Sequence, residues 1–130
     1  MKDPTVLYFT LKEPWFSMEK NKVKLHEYRE INVYYIRRFV KNEEVKRRAI
    51  AELESTGNLS DATEALVEFC AKEYFRQFKK YHGALGMCSQ EKHPERHFEF
   101  GKPDIKIGIG SVNWGAKPGK KYFVITWERK

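Results

Sequence analysis

The residues with the clearest chemical potential lie in one short stretch, 22–29 (KVKLHEYR). Side chains alternate between the faces of a strand, so Val23 and Leu25 are expected to turn one face toward the core. Glu27 and Arg29 continue that same face. Charged side chains on this face must be paired with an opposite charge or lie at the edge of the core. Such positions are typical of the floor of a cleft. In such a cleft a carboxylate could accept a proton and a guanidinium could bind an anion. The alternative is an edge strand whose charges are solvated on both faces.

Length and charge set the class of protein. The chain has 130 residues, which fits one domain with a single core. Its 25 Lys and Arg residues outnumber 18 Asp and Glu residues, giving a net charge of +7. This balance favours polyanionic partners such as nucleic acid. The positive residues are dispersed along the chain, so composition permits RNA binding without establishing it.

Cysteine usage and hydropathy bear on location. Cys70 and Cys88 form no short C-x-x-C pair. No apolar run reaches the roughly 20 residues of a membrane span, and the N-terminus lacks the apolar segment of a secretion signal. We therefore predict a cytoplasmic protein without a membrane partner.

Strands and short helices are expected to position the charged stretch. Residues 5–11 (TVLYFTL) are rich in β-branched and aromatic residues and predict a strand. Pro14 suits the first position of a short helix that includes Trp15. Asn32 can cap a second short helix over 33–40. Aromatic and basic side chains therefore flank the charged stretch on both sides in sequence.

Two longer helices are predicted in the middle of the chain. Asn42 marks the start of the first and Gly57 its end. Asp61 opens the second, whose apolar residues recur at helical spacing until Gly83. The apolar stripe is interpreted as a packing face, and Cys70 on it as a buried, inert thiol.

Residues 84–96 lack periodicity and predict a surface loop. Cys88, His93 and His97 lie in or beside it, and with Cys70 they make a set of two Cys and two His. The set lacks the closely spaced Cys pair of structural zinc sites, and one ligand would come from the middle of a helix. We therefore predict no metal and no cofactor.

The last third of the chain is predicted to be β. Residues 97–100, 104–110 and 121–127 alternate or are rich in strand formers. Trp114, in the turn before the last strand, either fills the core or faces a ligand. The expected fold class is α+β, a small twisted sheet or partly closed β-barrel with helices against one side.

Several of these segments resemble a known family. The first strand, the residues 13–16 (EPWF), the charged stretch and the segment 113–125 (NWGAKPGKKYFVI) are similar to an ASCH domain, a member of the PUA-like superfamily of small β-barrels associated with RNA. The family signature is G-x-K-x-x-E-x-R. Lys24, Glu27 and Arg29 match its Lys, Glu and Arg, while Lys22 stands at its glycine position.

The resemblance implies a single ASCH-like domain over residues 1–130, with a helical insertion at about 42–83. It also implies that Lys24, Glu27 and Arg29 border a cleft where RNA or a nucleotide binds. Arg29 can hold a phosphate through its planar guanidinium, Lys24 can act as a point charge, and Glu27 can orient Arg29 or accept a proton. On a regular strand Lys24 would face away from Glu27, so a shared site requires a bulge or an approach around the edge.

Three functions remain open at this point. The first is binding of RNA or a nucleotide, with Trp15 and Trp114 added to the three charged residues as binding candidates. The second is hydrolysis. Some ASCH relatives remove an acetyl group from cytidine using Lys, Thr and Glu, and others cut RNA. Glu27 stands where that Thr would be, which argues against the deacylase, so an enzyme would use Lys24 as electrostatic stabiliser and Glu27 as general base on RNA.

The third function is protein interaction through the longer helices. Exposed apolar residues on the helix predicted over 61–82 would favour it. Whether the chain is an enzyme is left open by the sequence.

Overall fold

The computed structural model describes residues 3–128, which form an α+β fold. The elements in chain order are β1 (Val6–Leu11), α1 (Trp15–Lys20), β2 (Glu27–Glu30), α2 (Val33–Phe39), α3 (Glu43–Thr56), α4 (Asp61–Phe75), β3 (Lys80–Leu85), β4 (His97–Phe100), β5 (Pro103–Ile109) and β6 (Lys121–Trp127). The strands form two three-stranded sheets, ordered β1-β3-β4 and β2-β6-β5. Within the described residues neither sheet closes into a barrel. The predicted α+β class is confirmed.

The chain divides into two compact units. The first unit comprises the described parts of 1–27, 77–103 and 126–130, and the second comprises 28–76 and 104–125. The predicted insertion at 42–83 contains α3, α4 and the first part of β3, and its status as an insertion stays a prediction. No described helix combines the length and the apolar content that crossing a membrane requires.

Aromatic side chains dominate the core of the first unit. β1 runs parallel to β3, and β3 runs antiparallel to β4. The Tyr81 ring on β3 stacks on Trp127 with centroids 4.5 Å apart, and Phe98 on β4 lies 5.9 Å from Tyr81. Gly83 makes room for Phe98, because a Cβ at this glycine would overlap the Phe98 ring. Close approach of β3 and the β4 aromatics therefore depends on a residue without a side chain.

The helices of the second unit begin at the predicted caps. The side chains of Asn32 and Asn42 accept hydrogen bonds from the backbone of Tyr35 and Val45, which fixes the starts of α2 and α3. α4 is capped by Ser60 and not by Asp61. The Phe39 ring packs 5.2 Å from Phe75 and 5.1 Å from Phe123, between centroids, and these rings form the centre of this unit. The predicted stripe of α4 is therefore a packing face in part, although Phe69 is exposed.

Two predicted elements were wrong. The helix predicted from Asp61 to Gly83 ends at Phe75, and Tyr81 lies instead on β3. Aromatics spaced by three and four residues satisfy the helical period, but pairing of residues 80–85 with β1 and β4 places them in a sheet. The predicted strand over 22–29 is regular only at Glu27–Glu30. Consequently Val23, expected to be inside, is 58% exposed.

Candidate functional site

A tight turn after α1 determines the direction in which the charged stretch, 22–29, leaves the helix. The backbone N–H groups of Val23 and Lys24 both donate to the Met18 carbonyl, at 2.8 and 3.0 Å, and that of Lys22 donates to Glu19 O at 3.0 Å. Lys22 has a φ of 63°, a left-handed conformation that costs a residue with a Cβ about 1 kcal/mol. This turn directs the Lys24 side chain inward, where it is only 4% exposed.

Lys24 lies between two buried carboxyl groups of the first unit. Its Nζ is 3.2 Å from Glu27 Oε1 and 3.6 Å from Glu19 Oε2. The hydroxyl of Tyr81 donates to Glu19 Oε1 at 2.8 Å. Each of these side chains is less than a tenth exposed. We refer to Glu19, Lys24, Glu27 and Tyr81 as the ionic cluster.

Burial controls the protonation of the ionic cluster. The pKa of Glu19 is raised from its ordinary value of 4.5 to about 10, first because burial removes the carboxylate from water and then because the Glu27 carboxyl is adjacent. Lys24 and the Tyr81 hydroxyl act in the opposite direction but do not offset burial. Glu19 therefore carries a proton at neutral pH. One ammonium group then faces one carboxylate, an arrangement that a low-dielectric interior tolerates better than two carboxylates.

Trp15 completes the arrangement in the first unit. Its ring centroid is 4.8 Å from Lys24 Nζ, within the range of a cation–π contact. The Trp15 side chain is half-buried at the start of α1. The structure thus brings together three of the five predicted binding residues, Lys24, Glu27 and Trp15.

Arg29 and Trp114 belong to the second unit. Arg29 Nη1 donates to the Tyr35 hydroxyl at 2.8 Å, and the guanidinium carbon lies 5.8 Å from the centroid of that ring. This contact holds the guanidinium on α2. Trp114 ends a short 3₁₀ turn, Val112–Trp114, and is half-buried, so it does not fill the core completely.

The expectation that Lys24 faces away from Glu27 applied to a regular strand, and the backbone at Lys24 is not part of one. Lys24 precedes β2 and lies in irregular backbone, so strand alternation does not apply to it. Lys24 and Glu27 meet directly at 3.2 Å, and no bulge in β2 is needed to explain their contact.

Sequence reasoning missed Glu19 and Tyr81. Glu19 lies three residues after the buried Phe16 on the same helix face. That spacing was an available signal for its burial. Tyr81 was assigned to a helix, and nothing local in the sequence connects it with Glu19, 62 positions away.

The Cys and His residues considered for zinc are divided between the two units. Cys70 lies on α4 in the second unit, whereas Cys88 and His97 lie in the first unit and contact each other. Among residues 3–128, no three His, Cys, Asp or Glu side chains are arranged to hold a metal ion.

Comparisons with known proteins identify no relative of this chain. No family model matches it, and neither the curated proteins nor the solved structures contain a significant match. The similarity to ASCH domains and the PUA-like superfamily therefore stays a prediction from the sequence motifs.

Proposed function

We propose that the chain is an ASCH-like domain of the PUA-like type that binds RNA or a nucleotide at Lys24, Glu27 and Trp15. The supporting observation is the placement of a hydrogen-bond donor, an acceptor and an aromatic ring together in the first unit, at 3.2 Å and 4.8 Å from Lys24 Nζ. Such a combination is suited to nucleobases, which present donors, acceptors and a flat ring.

The charge of the ionic cluster favours the base over the phosphate at this position. With Glu19 protonated, Lys24 and Glu27 form a neutral pair, and Glu27 would repel a phosphate placed beside it. The ASCH resemblance gives Arg29 the role of a phosphate contact, and Trp114 stays a candidate for stacking on a base. The net charge of +7 adds a general attraction for the nucleic acid backbone.

The left-handed Lys22 also supports the ASCH proposal. Lys22 stands at the glycine position of the family signature, and its φ of 63° is a conformation that glycine adopts without strain. A glycine there in the family would serve the same turn that directs Lys24 inward. The agreement concerns one backbone position and is independent of the charged residues.

Binding of a fluorescently labelled, unstructured RNA oligomer tests the proposal. Lys24→Met keeps the length of the side chain and removes its charge, and Lys12→Met makes the same change at an exposed lysine of the first unit. We expect Lys24→Met to weaken binding by about tenfold or more, about 1.4 kcal/mol, and Lys12→Met to weaken it much less. Affinity of the unmodified protein should also fall steeply between low and physiological salt.

Circular dichroism of both variants controls for misfolding. Absence of RNA binding at low salt would refute the proposal. Equal losses in folded Lys24→Met and Lys12→Met would also refute it, because the effect would then report net charge alone.

A second candidate function, hydrolysis of RNA or of a modified nucleoside, is favoured by the raised pKa of Glu19. A protonated carboxyl next to a carboxylate provides a general acid and a general base, and Lys24 can stabilise developing negative charge. Labelled RNA and acetylated cytidine should be incubated with the protein, with Glu27→Gln and with Glu19→Gln. Turnover that both variants leave unchanged excludes the ionic cluster as an active site.

A further inference from the structure

A second group of titratable side chains in the first unit lines an open cavity. The cavity has a volume of about 780 Å³ and is bounded by β1, β3, the start of β4 and the loop 86–91. Its wall includes Tyr8, Thr10, His82, Met87, Cys88 and His97. This volume falls within the usual range of small-molecule sites. None of these residues belongs to the ionic cluster.

Cys88 begins a chain of contacts that leads from the cavity to the surface. Cys88 Sγ is 3.4 Å from His97 Nε2, and His97 Nδ1 is 2.8 Å from His82 Nε2. His82 Nδ1 is in turn 3.2 Å from Glu99 Oε2. Both histidines are less than a tenth exposed, whereas the Glu99 side chain is 37% exposed. The sheet register sets this order, because His82 on β3 pairs directly with Glu99 on β4.

We propose that Cys88 is a nucleophilic thiol, activated through His97, His82 and Glu99, that reacts with small electrophilic carbon compounds entering this cavity. The Cys88 thiol gives its proton to His97 Nε2, and the Nδ1 proton of His97 passes to His82 Nε2. His82 keeps its own proton on Nδ1, facing Glu99. The products are a thiolate at Cys88 and an imidazolium at His82 beside a carboxylate.

The electrostatic surroundings suit this direction of transfer. Burial and the neighbouring His82 lower the pKa of His97, so its ring is neutral at pH 7 and can accept a proton. The positive charge moves from His97 to His82, which is also buried but has the Glu99 carboxylate 3.2 Å from its Nδ1. Lys80 also contacts Glu99, at 3.3 Å, and the Tyr8 ring lies 5.0 Å from His82 between centroids.

Other polar groups compete for the same atoms. His97 Nε2 is 3.0 Å from the Cys88 carbonyl, which can accept a hydrogen bond from this nitrogen, and the Cys88 thiol donates to the Leu85 carbonyl at 3.3 Å. Arg96 also donates to the Leu85 carbonyl, at 3.2 Å. Charges on Glu95 and His93 act on His97 in opposite senses. His97 can accept the thiol proton only when its Nε2 carries no proton. This is the case when the ring proton is on Nδ1 and that N–H donates to His82 Nε2.

Alkylation by iodoacetamide tests the proposal within one chain. The Cys88 thiolate attacks the carbon, a sulfur–carbon bond forms, the carbon–iodine bond breaks and iodide leaves, while the thiol proton stays on the histidines until water removes it. Cys70 is the internal control, because it is also a half-buried thiol but its pKa is raised by burial and by Glu73. We expect Cys88 to react at least about tenfold faster than Cys70 at pH 7, measured on both peptides by mass spectrometry.

Variants identify the source of the reactivity. His97→Gln is expected to slow Cys88 about tenfold, and Glu99→Gln to slow it severalfold without removing a histidine. Glu91→Gln, at another carboxylate of the cavity wall, should leave the rate unchanged. The Cys88 and Cys70 rates should be measured from pH 6 to pH 8, and Glu99→Gln should narrow the difference between them at each pH.

Two results would overturn the proposal. One is a Cys88 rate less than tenfold above that of Cys70. The other is a rate that folded Glu99→Gln and His97→Gln both leave unchanged. If His97→Gln does not fold, the rate and pH profile of Glu99→Gln decide alone, because the Glu99 side chain is partly exposed.

Discussion

Replacement of Glu19 by Gln should stabilise the protein at neutral and alkaline pH. Gln has nearly the shape of a protonated Glu and can keep both contacts, accepting from the Tyr81 hydroxyl and donating toward Glu27. Unlike Glu19, it needs no proton to remain neutral inside the protein. Stability of the variant should therefore lack the pH dependence that Glu19 gives to the unmodified chain.

The direction of this pH dependence follows from whether the folded or the unfolded chain binds the proton of Glu19. The folded pKa of Glu19 is about 10 and its ordinary value is 4.5, so between these values the folded chain binds a proton that the unfolded chain releases. This contribution to stability is complete below pH 4.5 and is lost progressively as the pH rises toward 10. Each pH unit in this window costs up to about 1.4 kcal/mol, or about 4 kcal/mol from pH 5 to pH 8. Rearrangement around Lys24 reduces this, and we expect about 2 to 4 kcal/mol.

Urea unfolding at several pH values between 5 and 8 measures this difference. The free energy of unfolding of Glu19→Gln should be closest to that of the unmodified protein near pH 5 and exceed it increasingly toward pH 8. Titrating groups outside the ionic cluster affect both proteins alike and cancel in the difference. Glu54→Gln, at an exposed position on α3, is the matched control and should show no such trend.

A constant difference across this pH range would refute the reasoning, because Glu19 would then not be taking up a proton on folding. A difference of the opposite sign would show that Glu19 is an ionised partner of Lys24. In that case the ionic cluster would hold two carboxylates and carry a net negative charge, and the preference proposed for a nucleobase would lose its electrostatic basis.

Two further predictions concern packing and acid stability. Gly83→Ala should destabilise the protein by about 1 to 3 kcal/mol, because the added Cβ would overlap the Phe98 ring. Gly108→Ala is the control, since its Cβ would be 3.9 Å from the nearest atom, and it should have a smaller effect. Thermal unfolding of both variants measures the difference. Hydrogen bonds, chiefly from the Thr63 hydroxyl, lower the pKa of Glu52 from 4.5 to about 2. The stabilising contribution of Glu52 is therefore present above pH 4.5 and lost as the pH falls toward 2, so the advantage of the unmodified protein over Glu52→Gln should shrink in acid urea titrations.

Local signals predicted most of the secondary structure. Asn32 and Asn42 were identified as helix caps because their short side chains can accept from the backbone two or three residues later, and the structure contains both hydrogen bonds. Gly57 ends α3 with a φ of 80°, the left-handed conformation expected of a glycine there. The strands at both ends of the chain were predicted within a residue because their apolar and β-branched residues leave no helical alternative.

The ionic cluster depends on contacts that no local pattern specifies. Strand alternation failed at Lys24 because one left-handed residue, Lys22, interrupts the regular backbone before β2. A lysine with positive φ is rare, so the sequence favoured a continuous strand. Tyr81 meets Glu19 only because β3 joins the sheet of the first unit, and the same aromatic spacing also fitted a longer α4.

The protonation state of Glu19 could not be inferred from the sequence for a related reason. The motif residues Lys24 and Glu27 carry opposite charges that sum to zero. Such a pair gives no indication of a third buried ionisable side chain. Adding Glu19 places two carboxyl groups beside one ammonium group, so one carboxyl must be neutral for the cluster to be buried at low cost. Burial selects Glu19, which is fully enclosed, and the Tyr81 hydroxyl is not enough to keep it ionised. The protonated carboxyl of the ionic cluster therefore belongs to Glu19, a residue that the motif does not contain. Mutation of the motif residues Lys24 and Glu27 alone would leave this carboxyl in place.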